Sequence, residues 1–158
     1  MLKKILVLGI GNTICGDDGA GIQAVRSLKK ELDKALNKTV DIKEMEEANI
    51  NILELLEGYK KLIIVDSICT KKAKAGAIRK LSPLTFKEEN QPYSSHQIGF
   101  NRVMDMAKTF KMDVPEEIII YAMEIRKISF FKNGLSLTAR KSLPGLVELI
   151  KKEVLVNN

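Results

Sequence analysis

The stretch Ile5-Leu-Val-Leu-Gly-Ile-Gly-Asn-Thr-Ile-Cys-Gly-Asp-Asp-Gly-Ala-Gly21 decides how the rest of the chain is read. Four apolar residues run up to a glycine, as they do in a strand buried on both faces of a parallel sheet. The chain then crosses a turn rich in Gly and Asn and delivers two adjacent carboxylates, Asp17 and Asp18, to the start of an amphipathic helix. In an α/β sheet such a loop lies at the carboxyl end of the strands, where these folds place their chemistry. A glycine loop ordinarily suggests phosphate, and two acids in it argue against phosphate.

Outward from this loop the periodicity alternates between strand and helix. Ile22, Val25, Leu28, Leu32 and Leu36 fall at helical spacing, predicting a helix over about 19–36 with Asp17 or Asp18 at its N-cap. Val40–Met45 alternates like a strand, and Asn49 or Asn51 can cap a short helix through Leu56 that Gly58 closes. Lys61–Asp66 is the next buried strand and ends on an acid, 69–75 is a basic loop, and 76–81 is an edge strand. The polar stretch from Ser82-Pro83 to Ser95 predicts a long surface loop.

Ser94 and Ser95 then stand where they cap a helix carrying Phe100, Val103, Met104 and Ala107. Glu117–Met123 is a buried strand, and Ile125–Phe131 is ambiguous between strand and loop. Ser136 caps a last helix with an apolar face at Leu143, Leu146, Val147, Ile150 and Val154, which Pro144 should kink or restart. No linker divides residues 1–158. The pattern predicts an α/β fold: a single three-layer domain with a mainly parallel twisted sheet and helices on both faces.

Composition narrows the function classes. A chain of 158 residues can bury a proper core, and its longest apolar runs are strand-sized, which predicts no membrane insertion. The first strand begins so early that no signal peptide is expected, and two cysteines read as reduced thiols; both point to the cytoplasm. The net charge of +6 comes from lysines spread along the chain and interleaved with acids. Aromatics make up only 5%, so a nucleic-acid partner is not expected.

If the first and third strands are neighbours, the loops after them flank one crevice, which brings Asp18 near Asp66. The only histidine, His96, precedes the helix at Phe100, and that helix could point its ring at the same sheet edge. Two carboxylates and an imidazole suit a divalent transition metal, or else general acid–base chemistry. Taken singly, Asp18 could be a helix cap, Asp66 a structural hydrogen-bond acceptor and His96 a satisfied loop residue; their conjunction makes the site. Cys15 and Cys69 flank the acids as small buried thiols or as auxiliary soft ligands.

Competing motifs fail on particular residues. Ile14 stands where a dinucleotide fingerprint needs its third glycine, and the helix start lacks the Gly-Lys-Ser/Thr of a P-loop. One histidine excludes a His-Glu-x-x-His zinc site. Val65-Asp-Ser67 resembles the Asp-Ser/Thr-Gly turn of aspartic proteases, with Ile68 in place of the glycine.

The pieces Leu6-Val-Leu-Gly-Ile-Gly-Asn12, Gly16-Asp-Asp-Gly-x-Gly21, Ile63-Ile-Val-Asp66 and Ser95-His-Gln-Ile-Gly99, with a weaker Gly134-Leu-Ser136, occur in that order over nearly the full length. In this the chain resembles the hydrogenase maturation protease family, which finishes the large subunit of nickel–iron hydrogenases. The resemblance implies a phosphorylase/hydrolase-like fold and an aspartic-type, metal-guided endopeptidase that removes a C-terminal extension from the large-subunit precursor. It implies that Asp18, Asp66 and His96 form the catalytic, metal-contacting set. It also implies that the nickel belongs to that precursor, so no tightly bound intrinsic cofactor is expected and the isolated chain is expected to be a monomer. Asp17 is read as a cap or a supporting group. The alternatives are a non-enzymatic nickel-binding maturation factor, a nucleotide-binding α/β module, and a related endopeptidase with another protein substrate.

Overall fold

The computed structural model describes residues 5–32, 38–46, 51–89 and 97–156. Five strands form one sheet in the order β2-β1-β3-β5-β4, where β1 is Ile5–Ile10, β2 Val40–Met45, β3 Lys61–Ile68, β4 Ile78–Leu81 and β5 Glu117–Glu124. All pairings are parallel except β4 on β5, and β4 is the predicted edge strand. The central strands β1 and β3 are buried at every position, which is why they read as continuous apolar runs. Their alternate residues feed two cores. Ile5, Val7, Ile63 and Val65 pack under helices α1 (Ala20–Glu31) and α5 (Leu137–Val156). Leu6, Leu8, Leu62 and Ile64 pack under α2 (Ile52–Leu56), α3 (Pro83–Glu89) and α4 (Gln97–Thr109). The result is the expected three-layer arrangement. Among the described residues no helix is long and apolar enough to cross a membrane.

Several boundaries differ from expectation for physical reasons. Helix α1 stops at Glu31 because Leu32 turns extended, and Leu36 lies outside the described residues. Its N-cap is Gly19 with no side-chain cap, since both acids are engaged elsewhere. Asn51 occupies the N-cap of α2 but makes no capping bond from its side chain, and Asn49 lies outside the described residues.

Strand β3 runs two residues past Asp66. The expected surface loop contains α3. Ser82 accepts the Thr85 amide at 3.1 Å, Pro83 takes the first helical position, and Phe86 is buried in the second core. Ser94 and Ser95 lie outside the described residues. Ile125–Phe131 forms no regular strand. Ser136 caps α5 as expected, its hydroxyl accepting the Ala139 amide. The helix passes through Pro144 without restarting, because Ala139 before it and Leu146, Val147, Ile150 and Val154 after it are all anchored in the first core.

The amino edge of the sheet carries a polar cluster. Lys61, at the start of β3 and almost fully buried, donates to Glu153 at 2.6 Å and pairs with Glu117 at 3.0 Å. Lys80 and the Tyr121 hydroxyl complete the ring around Glu153 at 2.7 and 2.8 Å. Burial pushes the Glu153 carboxyl upward, but the hydrogen bonds from Lys61, Lys80 and Tyr121 outweigh it and hold the group at about 2 against an ordinary 4.5. A depressed folded-state value means that the cluster's contribution is complete above about pH 5 and is lost as the pH falls toward 2. Glu153→Gln is therefore expected to cost roughly 3 kcal/mol at pH 7, with the gap to the parent closing in acid. Denaturant titrations at a series of pH values check this, and a gap independent of pH would contradict it.

Candidate functional site

Strand β2 lies on one side of β1 and β3 on the other, so the sheet order reverses direction between β1 and β3. A crevice opens at the carboxyl end of such a switch point. Both expected carboxylates are there. After β1 the chain turns at Gly11, whose φ of +143° and lack of a side chain are both required: a Cβ would fall 2.0 Å from the Asp18 carbonyl oxygen. A 3₁₀ turn over Gly16–Gly19 then carries the acids.

Asp17 and Asp18 part ways in this turn. Asp17 accepts the Ser136 amide at 2.6 Å and its hydroxyl at 2.7 Å, which fastens the loop to the start of α5 and puts a negative charge at that helix N-terminus. It is a supporting group that caps the last helix and not the first. Asp18 turns inward and is 2% exposed. One of its oxygens accepts the Asn12 amide at 3.0 Å and the other faces the Ser67 hydroxyl at 3.2 Å.

Asp66 is also 2% exposed, inside β3 and paired in register with Ala122. Strand alternation places it on the α4 side with Ile64 and Ile68, while Ser67 faces the α1 side with Val65. The Asp66 carboxylate accepts the amide of Ser67 at 2.7 Å. Ser67 is thus the link between the two acids, giving its N–H to one and its hydroxyl to the other. His96 lies outside the described residues, immediately before the first residue of α4. Among the described residues no three His, Cys, Asp or Glu side chains are grouped to hold a metal.

Both cysteines are free. Burial, and then the charge of Asp18, push the Cys15 thiol up. Burial and Glu124 push Cys69 up, with Lys71 opposing. A raised thiol is a poorer soft ligand, so these shifts favour the reading as plain thiols.

Two polar residues of the site edge carry no local sequence signal. One is Ser67, noticed only as part of a turn-like tripeptide. The other is Glu124, 1% exposed at the end of β5, which accepts the Thr70 amide and hydroxyl and the Lys71 amide at 2.7–2.9 Å.

The family profile described as hydrogenase maturation protease matches residues 22–153. This chain belongs to the hydrogenase maturation protease family. The matched span contains Asp66 and His96, and Asp18 lies just before it. The chain is similar to the hydrogenase expression/formation protein HupD of Rhizobium leguminosarum bv. viciae, 26% identical over 92% of this chain and 71% of that protein. It is also similar to the hydrogenase 2 maturation protease of Escherichia coli (strain K12), 29% identical over 74% of this chain and 70% of that one. Among solved structures, the hydrogenase maturating endopeptidase HybD from Escherichia coli superposes with a TM-score of 0.84 at 23% identity, covering 98% of this chain and 94% of that one. The NiFe hydrogenase maturation protease HybD from Thermococcus kodakarensis superposes at 0.73 with 22% identity, covering 96% and 99%. At such identities these structures speak for the maturation-protease fold.

Proposed function

We propose that this chain is the endopeptidase that removes a C-terminal extension from the nickel-loaded precursor of a nickel–iron hydrogenase large subunit. The observation that carries the reading is the convergence of two buried carboxylates, Asp18 and Asp66, on Ser67 at the switch point of the sheet. Burying two acids that share Ser67 as a partner is costly, and a fold meets that cost where it needs a cation or a proton acceptor there. The glycine loop offers little to a phosphate, because the Asn12 amide is already given to Asp18.

In this mechanism Asp18, Asp66 and His96 contact nickel carried by the precursor, so recognition of the metal positions the adjoining peptide. A water held against the carboxylates attacks the scissile carbonyl and gives its proton to one of them. That proton passes to the departing amine as the C–N bond breaks. The nickel ion supplies Lewis acidity or position. The site is aspartic-type in its groups and is completed by its substrate, which accords with a cytoplasmic, monomeric enzyme holding no tightly bound metal of its own.

The test compares nickel-loaded with nickel-free precursor. Wild-type protein is expected to process the loaded form at least about a hundredfold faster. Equal rates would remove nickel from the recognition step. Tight nickel binding by the isolated chain with neither precursor cleaved would support a nickel-binding maturation factor instead.

A further inference from the structure

Beyond the two carboxylates, the carboxyl edge of the sheet holds a cavity of about 240 Å³ lined by Cys69, Lys71, Arg126, Lys127 and Ile128. We propose that this cavity is the subsite for a carboxylate-bearing residue of the peptide being cleaved. The proposal rests on the endopeptidase reading and adds to it a preference for an anionic residue close to the scissile bond. The cavity is smaller than the roughly 300–1,000 Å³ of small-molecule sites, so it fits a side chain or a chain end better than a free metabolite.

The walls are the two loops leaving the adjacent strands β3 and β5, and they are fastened to one another. The Ile125 amide donates to the Ile68 carbonyl at 2.8 Å, and the Cys69 thiol donates to the Arg126 carbonyl at 3.3 Å. Beneath them, the buried Glu124 carboxylate takes two successive amides, those of Thr70 and Lys71, together with the Thr70 hydroxyl. This clamp holds Lys71 at a φ of +61°, a left-handed conformation that a lysine adopts at a cost. Glu124 is a positioning residue, and the strained backbone it supports belongs to a cation at the cavity's lining.

Charge identifies the occupant. Lys71, Arg126 and Lys127 are all exposed, and among the described residues none of them is in a salt bridge. The buried Glu124 acts on Cys69 by its charge and is engaged by the three hydrogen bonds just described. Three exposed cations that form no salt bridge among the described residues, around a recess walled partly by Ile128 and a thiol, fit a carboxylate on an apolar stem.

Position fits as well. Cys69 is three residues beyond Asp66, so the lining begins within about 11 Å of the candidate catalytic acid. An extended peptide cleaved beside Asp66 can reach the cavity within about three residues of the cut.

The experiment titrates the isotopically labelled full chain by NMR with three acetylated peptides. They are Ala-Leu-Glu-Leu-Ala amide, Ala-Leu-Gln-Leu-Ala amide, and the glutamine peptide with a free terminal carboxylate. The glutamate peptide is expected to shift the amides of 69–72 and 126–128 and to bind at least about fivefold more tightly than the glutamine amide. If the free-terminus peptide binds better still, the subsite takes the end of the chain and not a side chain. Arg126→Ala is expected to weaken the glutamate peptide about fivefold. Lys71→Gly is expected to weaken it similarly while leaving Tm unchanged or raised, because glycine relieves the left-handed backbone. Equal affinity for all three peptides, or parental affinity in both variants, overturns the proposal.

This readout needs no cleavage. Binding without processing of any precursor would count against the endopeptidase reading alone. Processing by Arg126→Ala with unchanged KM, together with no peptide preference, would count against the subsite alone.

Discussion

An Asp66→Asn protein is expected to fold as the parent does and to process the nickel-loaded precursor at least about a thousandfold more slowly. The side chains are isosteric, and the bond that the Asp66 carboxylate accepts from the Ser67 amide at 2.7 Å survives because the asparagine oxygen still accepts it. What is lost is the negative charge and an acceptor, the two properties that metal contact and water activation need. Asp18→Asn is a less clean probe. Both Asp18 oxygens have fixed donors, the Asn12 amide and the Ser67 hydroxyl. An amide group would set N–H against a donor in a buried place, at about 1–3 kcal/mol. Single-turnover processing and thermal unfolding, measured on both variants, separate the two effects. Processing by Asp66→Asn within tenfold of the parent, at parental Tm, would end the catalytic assignment. His96→Ala completes the series, with a comparable loss expected and no requirement for a stability change.

Most of the sheet was legible in the sequence because central parallel strands are buried on both faces, so β1, β3 and β5 announce themselves as apolar runs. Doubly wound order makes β1 and β3 neighbours, the condition under which the sequence brings Asp18 near Asp66, and the two strands do pair in parallel. The misreadings share a cause, which is that a polar residue's partner cannot be seen locally. Asp66 looked like the end of β3 because an unpaired acid stops a buried strand, yet the next residue's amide meets it and the strand goes on.

Helix α3 was hidden because its buried Phe86 is surrounded by polar neighbours, although Ser82-Pro83 is a valid start signal. Ser67 finds Asp18 at a separation of 49 residues, and Glu124 finds Thr70 at 54. No window along the chain contains such pairs. The glycines divide likewise. Gly11 turns the chain, as expected of the loop. Gly21, however, supplies the close helix–strand approach that a dinucleotide fingerprint assigns to its third glycine, where this chain has Ile14.

That approach sets the second large effect. Gly21→Ala is expected to destabilise the protein by at least about 3 kcal/mol, lowering Tm by roughly 10 °C. A Cβ at Gly21 would lie 2.2 Å from the Val65 carbonyl oxygen and 2.4 Å from that of Ile10, so it meets backbone of the two central strands and no side chain can swing aside. Helix α1 must lift off the sheet, opening the core formed by Ala20, Ala24, Val25 and Leu28 against Val7 and Val65. Gly145→Ala is the matched control: it adds the same methyl group to α5, where the nearest atom is an Ile78 methyl at 3.5 Å, an ordinary contact. There the better helix propensity is expected to raise stability by about 0.5–1 kcal/mol. Differential scanning calorimetry on the two variants should therefore give shifts of opposite sign. A Gly21→Ala protein within 3 °C of the parent would show that α1 does not seat on the strands this closely. The same lift reaches the site, because Asp18 lies three residues ahead of Gly21 and takes its bond from Ser67 across the gap that the methyl group would widen. Processing should fall even below the unfolding transition, with KM and kcat both affected.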